Sequence, residues 1–340
     1  MSHTTEITPG ELREFGSTNT LSEQAVALLT QQKQTWEQLS EGFASLEDIK
    51  WREIEFDGFK IALQFNPGRI KSSTAKVDKK SISKRSSFLL KENLPPEQRG
   101  IEFQGSKKYL VLGNPYPIFP DHLTIPTVDQ EPQAIADAFG DFLDLSQQLG
   151  HRFTAFYNGP KCGASAPDHL HFQAGTRNYM PLDKEFPGLK SKFAKTLKPG
   201  GEPSVYAVDD GLRRYFALEG KEQQPIEEIF GKLYEVLDRD FKDPDEAEPM
   251  LNVLSGYFDG QYRVLVFPRA KHRPSHFYAE GDEKLVLSPA SVDLGGLCIT
   301  PREEDFHSIK RKTLQEIFDE IIVSENEFEK LTSAFRENLQ

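Results

Sequence analysis

The sequence predicts an α+β fold: an antiparallel sheet with crossing helices, laid out as two related halves. Three observations carry that expectation. Between residues 51 and 174 the patterns run hairpin, strand, strand, helix, strand, strand, which lets one helix lie across an antiparallel sheet. From Leu212 a strand, a helix and a hairpin follow again, as if the plan restarts. Two stretches, residues 59–65 and 169–174, alternate in side-chain type as strands with one buried face do. The expected division is an N-terminal half, 1–200, and a C-terminal half of similar plan, 201–340. A chain of 340 residues is long enough to bury a core under two domains or one duplicated plan.

Each element rests on a local signal. Residues 1–20 are polar and read as a lead-in. Ser22 is a suitable N-cap for a helix reaching about Leu46, with Ala25, Leu28, Leu29 and Trp36 among its apolar positions. Residues 51–56 and 59–65 flank Asp57-Gly58, a hairpin turn signal. In the second of these strands Phe59, Ile61, Leu63 and Phe65 alternate with Lys60, Ala62 and Gln64. Residues 107–112 and 122–125 read as strands. Residues 131–150 read as one helix whose apolar positions include Ile135, Phe139, Phe142, Leu143 and Leu149, stopped by Gly150. Strand 153–157 feeds the stretch discussed next. Residues 181–201, rich in lysine and ended by glycine and proline, read as a connector. The second half offers strand 212–218, helix 225–241, an acidic loop at 243–248, and a hairpin of 251–258 and 262–267 around Asp259-Gly260. Short strands at 285–287 and 295–300, and helices at 313–323 and 324–335, close the chain.

Composition narrows the function. No apolar run approaches the roughly 18–20 residues of a membrane span, and the polar N-terminus shows no signal-peptide core. Two cysteines, Cys162 and Cys298, make no disulfide framework, so a reducing, cytoplasmic setting is expected. A net charge of -12 argues against general nucleic-acid binding. An acidic protein that handles phosphates must concentrate positive charge locally. Two places do so. The segment 69–91 carries Arg69 and Arg85 among several lysines and reads either as a solvated loop or as a basic flap over a nucleotide. The second focus, Arg269, Lys271 and Arg273, follows a strand and reads as a charged hairpin end or as a site for a distal phosphate or sugar.

The most informative stretch is Asn158-Gly-Pro-Lys-Cys-Gly-Ala-Ser-Ala-Pro-Asp-His-Leu-His-Phe-Gln-Ala174. In an extended strand His169, His171 and Gln173 would share one face, with Leu170, Phe172 and Ala174 on the other. The glycines and prolines upstream make a loop holding Asn158, Lys161, Gly163 and Ser165, residues suited to phosphate oxygens. Three readings compete: a hairpin with satisfied histidines, a His-x-His metal site, and an imidazole nucleophile attacking phosphorus. The metal reading lacks a third ligand just after Gln173. In the nucleophile reading the loop holds the phosphate, and this reading is preferred.

This run resembles the His-x-His-x-Gln signature of the histidine-triad superfamily's transferase branch. That branch comprises galactose-1-phosphate uridylyltransferases, diadenosine tetraphosphate phosphorylases and GDP-hexose phosphorylases. The resemblance implies a histidine-triad-like sheet and nucleotidyl transfer through a covalent nucleotidyl-histidine. It makes His171 the nucleophile, with His169 orienting it, and makes Asn158, Ser165, Gln173 and Lys161 donors to the phosphoryl oxygens. It also implies a ribose or phosphate contact at Asn114, in Asn114-Pro-Tyr-Pro before His122. Gln173 stands where the hydrolase branch carries a third histidine. An amide does not titrate near neutral pH, so transfer to phosphate or a sugar phosphate is expected over hydrolysis. The expected substrates are a nucleotide sugar or a dinucleoside polyphosphate, with no nucleic-acid or membrane partner. The scheme requires no cofactor, although magnesium can accompany the nucleotide. Where relatives place a Cys-x-x-Cys zinc pair this chain has Ser87 and Leu90, so no structural zinc is expected there. The alternatives are a non-catalytic nucleotide-binding protein of this fold and a His-x-His metalloenzyme.

Overall fold

The computed structural model describes residues 5–70 and 86–340. Its centre is a sheet of ten strands, and the order of those strands repeats. The first half supplies β3 (Ile101–Gln104), β4 (Lys108–Gly113), β5 (His122–Pro126), β6 (Phe153–Asn158) and β7 (His171–Thr176). The second supplies β8 (Ala194–Lys198), β9 (Ser204–Asp209), β10 (Arg214–Gly220), β11 (Leu251–Phe258) and β12 (Gln261–Pro268). Across the sheet they run β3-β4-β5-β7-β6-β11-β12-β10-β9-β8. Thus β4-β5-β7-β6 is mirrored by β9-β10-β12-β11, and the two sets join edge to edge through the antiparallel pair β6–β11. In each set a helix follows the second strand: Phe139–Leu149 in the first and Gln223–Phe241 in the second. Strand β8, before residue 200, hydrogen-bonds to β9 at the far edge of the second set.

The two sets differ at one hairpin. Between β11 and β12 the chain turns on Asp259 and Gly260 alone, both with positive φ (52° and 78°), a turn matched to strand twist. Between β6 and β7 it makes the long loop 159–170. Only the first half therefore has a loop able to enclose a ligand at this position.

One face of the sheet carries helices. Phe172 and Ala174 of β7 and Ala155 and Tyr157 of β6 pack there, with the Phe172 ring 4.9 Å from Phe142 of helix Phe139–Leu149. The opposite face is covered by a separate three-stranded sheet, β1 (Lys50–Glu55), β2 (Lys60–Phe65) and β13 (Leu297–Thr300), and by segments after residue 268. Strand β13 pairs parallel to β2, so the end of the chain crosses back to the first half. No helix among the described residues is long and apolar enough to cross a membrane.

Several elements depart from the sequence expectation. The helix expected over 22–46 breaks at Trp36, which takes extended backbone and buries its ring, giving Leu21–Thr35 and Glu37–Ala44. The helix expected from 131 begins at Phe139 because tertiary bonds hold the preceding turn open. The Ile135 N–H goes to Glu248 Oε2 (2.9 Å), and the Glu131 carbonyl accepts from Leu170 N–H (2.7 Å). The expected connector 181–201 is the helix Pro181–Phe193 followed by β8. Pro181 starts the helix, and Leu182, Phe186 and Leu189 bury one side. Pro187 inside it leaves the Asp183 carbonyl without a helical N–H, and Arg263 Nη1 donates to that oxygen at 3.4 Å. Strands β3 and β9 were not expected from the sequence, and residues 285–287 form no strand.

Candidate active site

The strand register sets the floor of the site. Gln173 of β7 stands opposite Thr124 of β5 and Phe156 of β6, and Asn158 of β6 stands opposite Asn252 of β11. Thr124, Phe156, Asn158, His171 and Gln173 line a cavity of about 490 Å³ on the face away from the helices, a size that accommodates a nucleotide-scale ligand. One wall comes from residues 36–38, 88–98 and 114–118, the other from His272, Arg273 and residues 288–293.

His171 is 2% exposed, and both its backbone and its ring are held. Its N–H donates to Gln133 Oε1 (2.8 Å), while Gln133 Nε2 donates to the carbonyls of Asn158 (2.9 Å) and His171 (3.1 Å). Gln133 thus ties the ends of β6 and β7 together. The ring Nδ1 lies 2.8 Å from the His169 carbonyl oxygen, which can only accept. Nδ1 therefore carries the proton, and on a neutral ring the lone pair is on Nε2. Burial pushes the His171 pKa down to about 4, so the ring is neutral at physiological pH.

Two amides beside it have their orientation decided by backbone N–H groups. Ile118 N–H donates to His122 Nδ1 (3.1 Å), so His122 is protonated at Nε2, and that N–H donates to Gln173 Oε1 (3.1 Å). Burial, and then the charge of Arg69, push the His122 pKa down to about 3 and keep it in this neutral form. Asn114 Nδ2 approaches the same Gln173 oxygen at 3.5 Å. The oxygen of Gln173 is thereby occupied, and its NH₂ is left as the donor for the cavity. At Asn158 the Ser291 N–H (2.9 Å) and Asn252 Nδ2 (2.8 Å) both donate to Oδ1, so again the NH₂ is the available end. Gly163 bends the loop around this point with φ +100°, and a Cβ there would lie 2.5 Å from that of Ala290. Glycine is the residue that meets both demands.

The other expected residues divide into those that line the cavity and those that do not. Arg69, Asn114, Gly163, Ser165 and Arg273 line it. Asn114 uses its amide mostly on the protein: Oδ1 accepts from Tyr116 N–H (2.9 Å) and Nδ2 donates to Thr124 Oγ1 (2.8 Å). Arg69 is anchored through Nη1 on the Tyr116 carbonyl (2.6 Å). Arg85 lies outside the described residues.

His169 is a correction to the expectation of a shared face. Strand β7 begins only at His171, and the His169 ring turns into the protein. Its Nε2–H donates to the Thr127 carbonyl (2.8 Å), and its Nδ1 pairs with Ser87 Oγ (2.9 Å). What orients His171 is the His169 carbonyl, not its imidazole. The two histidines do not converge, which removes the geometry a His-x-His metal site needs. Nor do residues 87 and 90 fit a zinc site, since the Ser87 hydroxyl is committed to His169 and Leu90 offers no ligand.

Three expected cations are also elsewhere. Lys161 pairs with Glu246 (2.7 Å) and Lys271 with Glu320 (2.8 Å), both about half exposed and neither lining the cavity. Arg269 is buried, and its guanidinium is consumed by the protein. Nε donates to Ile321 O (3.0 Å), Nη1 to Asn252 Oδ1 (2.6 Å) and Pro289 O (2.9 Å), and Nη2 to Lys271 O (3.0 Å) and His272 O (3.3 Å). It is a strut that joins the second half to the loop of the first, because Asn252 Nδ2 also donates to Cys162 O (2.8 Å).

Sequence reasoning missed Gln133, Asn252, Ser291 and Asp293, none of which sits in a local motif, and gave no role to His272, which lies within the basic cluster 269–273. Asp293 is the single carboxylate among the described lining residues, and burial raises its pKa to about 6. Against it stand Arg69 and Arg273, so the cavity is locally positive within an acidic chain.

Comparison with known proteins adds two family models. One is described as a domain of unknown function, DUF4922, and matches residues 28–176. The other is a GDPGP1-like C-terminal domain and matches residues 245–340. No curated protein matches the sequence significantly. Among solved structures the chain is similar to yeast Ap4A phosphorylase Apa2, at 16% identity over 86% of this chain and 94% of that one, with a TM-score of 0.53. The AMP complex of that enzyme gives 0.51 over 85% and 97% of the two chains at 16% identity. Its Ap4A complex gives 0.50 over 84% and 97% at 15% identity. Likeness at this identity is a likeness of fold.

Proposed function

We propose that the chain, whose residues 245–340 match a GDPGP1-like model and whose fold is like that of an Ap4A phosphorylase, is a histidine-triad-like nucleotidyltransferase working as a phosphorylase. The proposed substrate is a nucleoside diphosphate sugar or dinucleoside polyphosphate, and the nucleotide passes through His171. The observation that carries the reading is the committed Nδ1–H of His171, which leaves an unprotonated Nε2 at the cavity beside two fixed amide donors.

In the first step the Nε2 lone pair attacks the α-phosphorus. A P–N bond forms as the bond from that phosphorus to the bridging oxygen breaks, and the leaving phosphate group keeps the electron pair. The ring gains positive charge, which the Nδ1–H bond to the His169 carbonyl stabilises. The amides of Asn158 and Gln173 donate to the non-bridging oxygens, where a properly aimed donor is worth about 3–4 kcal/mol of barrier. In the second step an oxygen of phosphate or of a phosphate ester attacks the same phosphorus, and the P–N bond breaks to return neutral His171. Gln173 offers no titratable group to activate water, which favours an anionic acceptor.

The test is to trap the intermediate. Protein mixed with labelled nucleotide sugars or dinucleotides and quenched should carry an acid-labile, base-stable nucleotide that is absent from His171→Gly. That variant should still fold, because Phe172 and Ala174 carry the packing of β7. A wild type that binds nucleotide without ever becoming labelled would identify a binding protein instead.

A further inference from the structure

We infer that His272 and Arg273, with the loop 159–165, form a subsite for a phosphate dianion: the phosphate that leaves in the first step and the phosphate that accepts in the second. The inference rests on the proposed transfer reaction. In a double displacement at one phosphorus, the leaving oxygen and the attacking oxygen use the same place, so one subsite serves both.

The position of these residues follows from buried bonds. Asn158 and Cys162 of the loop are tied to Asn252, Asn252 to Arg269, and Arg269 to the carbonyl of His272 and to Pro289. Because the Arg269 guanidinium is consumed in this path, it places its neighbours rather than meeting a ligand. His272 and Arg273 then enter the cavity wall beside Gly163 and Ser165, where Gly163 abuts Ala290.

Their chemistry suits a dianion. The Arg273 guanidinium is steadied over the Phe277 ring (4.2 Å) and by Nε on Ser288 Oγ (3.3 Å). Burial, then Arg273, Arg269 and Lys161, push the His272 pKa down to about 4. Its ring is therefore a neutral N–H donor held in a positive field, which an arriving phosphate offsets. The acidic groups nearby are already engaged: Glu246 with Lys161, Glu320 with Lys271, and Asp293, which shares the cavity, as acceptor from the N–H groups of Ala290 (2.8 Å) and Ile299 (3.2 Å). Inorganic phosphate and a sugar 1-phosphate share this recognition.

The experiment loads the full-length protein with a nucleoside 5′-phosphorimidazolide, whose leaving group is imidazole and needs no phosphate subsite. Discharge of the loaded protein is then followed against inorganic phosphate and, separately, against hexose 1-phosphate, for wild type, His272→Leu, Arg273→Met and Arg273→Lys. Half-saturation is read on the loaded fraction alone, so a variant that loads poorly still reports. The half-saturating concentration of both acceptors should rise about 10- to 100-fold in His272→Leu and Arg273→Met, the range expected for a lost hydrogen bond to a charged group. Arg273→Lys should recover part of it. A shift for inorganic phosphate alone would still place the phosphate here, with the sugar ester bound by added contacts. Unshifted half-saturation for both acceptors, or a shift for hexose 1-phosphate alone, would overturn the inference while leaving the transfer reaction standing. A wild type that never loads would remove the transfer reaction and this inference together.

Discussion

His122 does not line the cavity, yet its removal should slow the first chemical step through Gln173 alone. In His122→Phe the N–H that occupies Gln173 Oε1 is gone. In the wild type, turning the amide over would set its NH₂ against the His122 Nε2–H and leave donors unpaired. An unmet buried polar group costs about 1–3 kcal/mol, so the aimed orientation dominates. Without His122 only the long Asn114 Nδ2 contact (3.5 Å) still favours that orientation, and the transition state must recruit the amide largely by itself. A loss of about 1–2 kcal/mol of preorganisation is roughly a 5- to 30-fold drop in rate. Deleting the donor outright in Gln173→Leu should cost about 3–4 kcal/mol, roughly 10²- to 10³-fold. The assay is single-turnover loading of His171 by a nucleoside 5′-phosphorimidazolide, well below the thermal midpoint of each variant, since Ile118 N–H also loses its partner. The decisive comparison is the double variant. If His122 acts through Gln173, adding His122→Phe to Gln173→Leu changes little. An equal drop in both backgrounds would refute the reasoning and make His122 a matter of general packing.

Two further outcomes are expected. Gln173→His places a titratable imidazole, of ordinary pKa about 6.5, beside the phosphoryl centre. Free nucleoside monophosphate should then accumulate without any acceptor, whereas the wild-type intermediate persists until phosphate arrives. An unchanged ratio of monophosphate to acceptor product in single turnovers would mean that acceptor binding controls the outcome. The pH profile should show the depressed pKa of His171, about 4. Only the neutral ring is nucleophilic, and burial favours the neutral ring, so loading should hold from neutral pH to about 5 and fall tenfold per unit below about 4. A half-maximal rate near pH 6.5 would mean that His171 is solvated rather than buried.

Much of this protein is written locally. Asp57-Gly58 and Asp259-Gly260 mark their hairpins because few other residues take the positive φ such turns need. The alternation of Phe172 and Ala174 against His171 and Gln173 separates core from cavity because strand side chains alternate over short distances. The loop 159–165 announces itself through Gly163, whose conformation excludes a side chain. What the tertiary structure alone decided are pairings between distant segments. Asn158 finds Asn252 across 94 positions and His169 finds Ser87 across 82, and nothing in either local sequence names its partner. The same holds for charge. Arg269, Lys271 and Arg273 read alike in sequence, yet one is consumed as a strut, one faces Glu320 and one lines the cavity. A residue type states which bonds a side chain can make; the folded neighbours that reach it first determine which of them remain for a ligand.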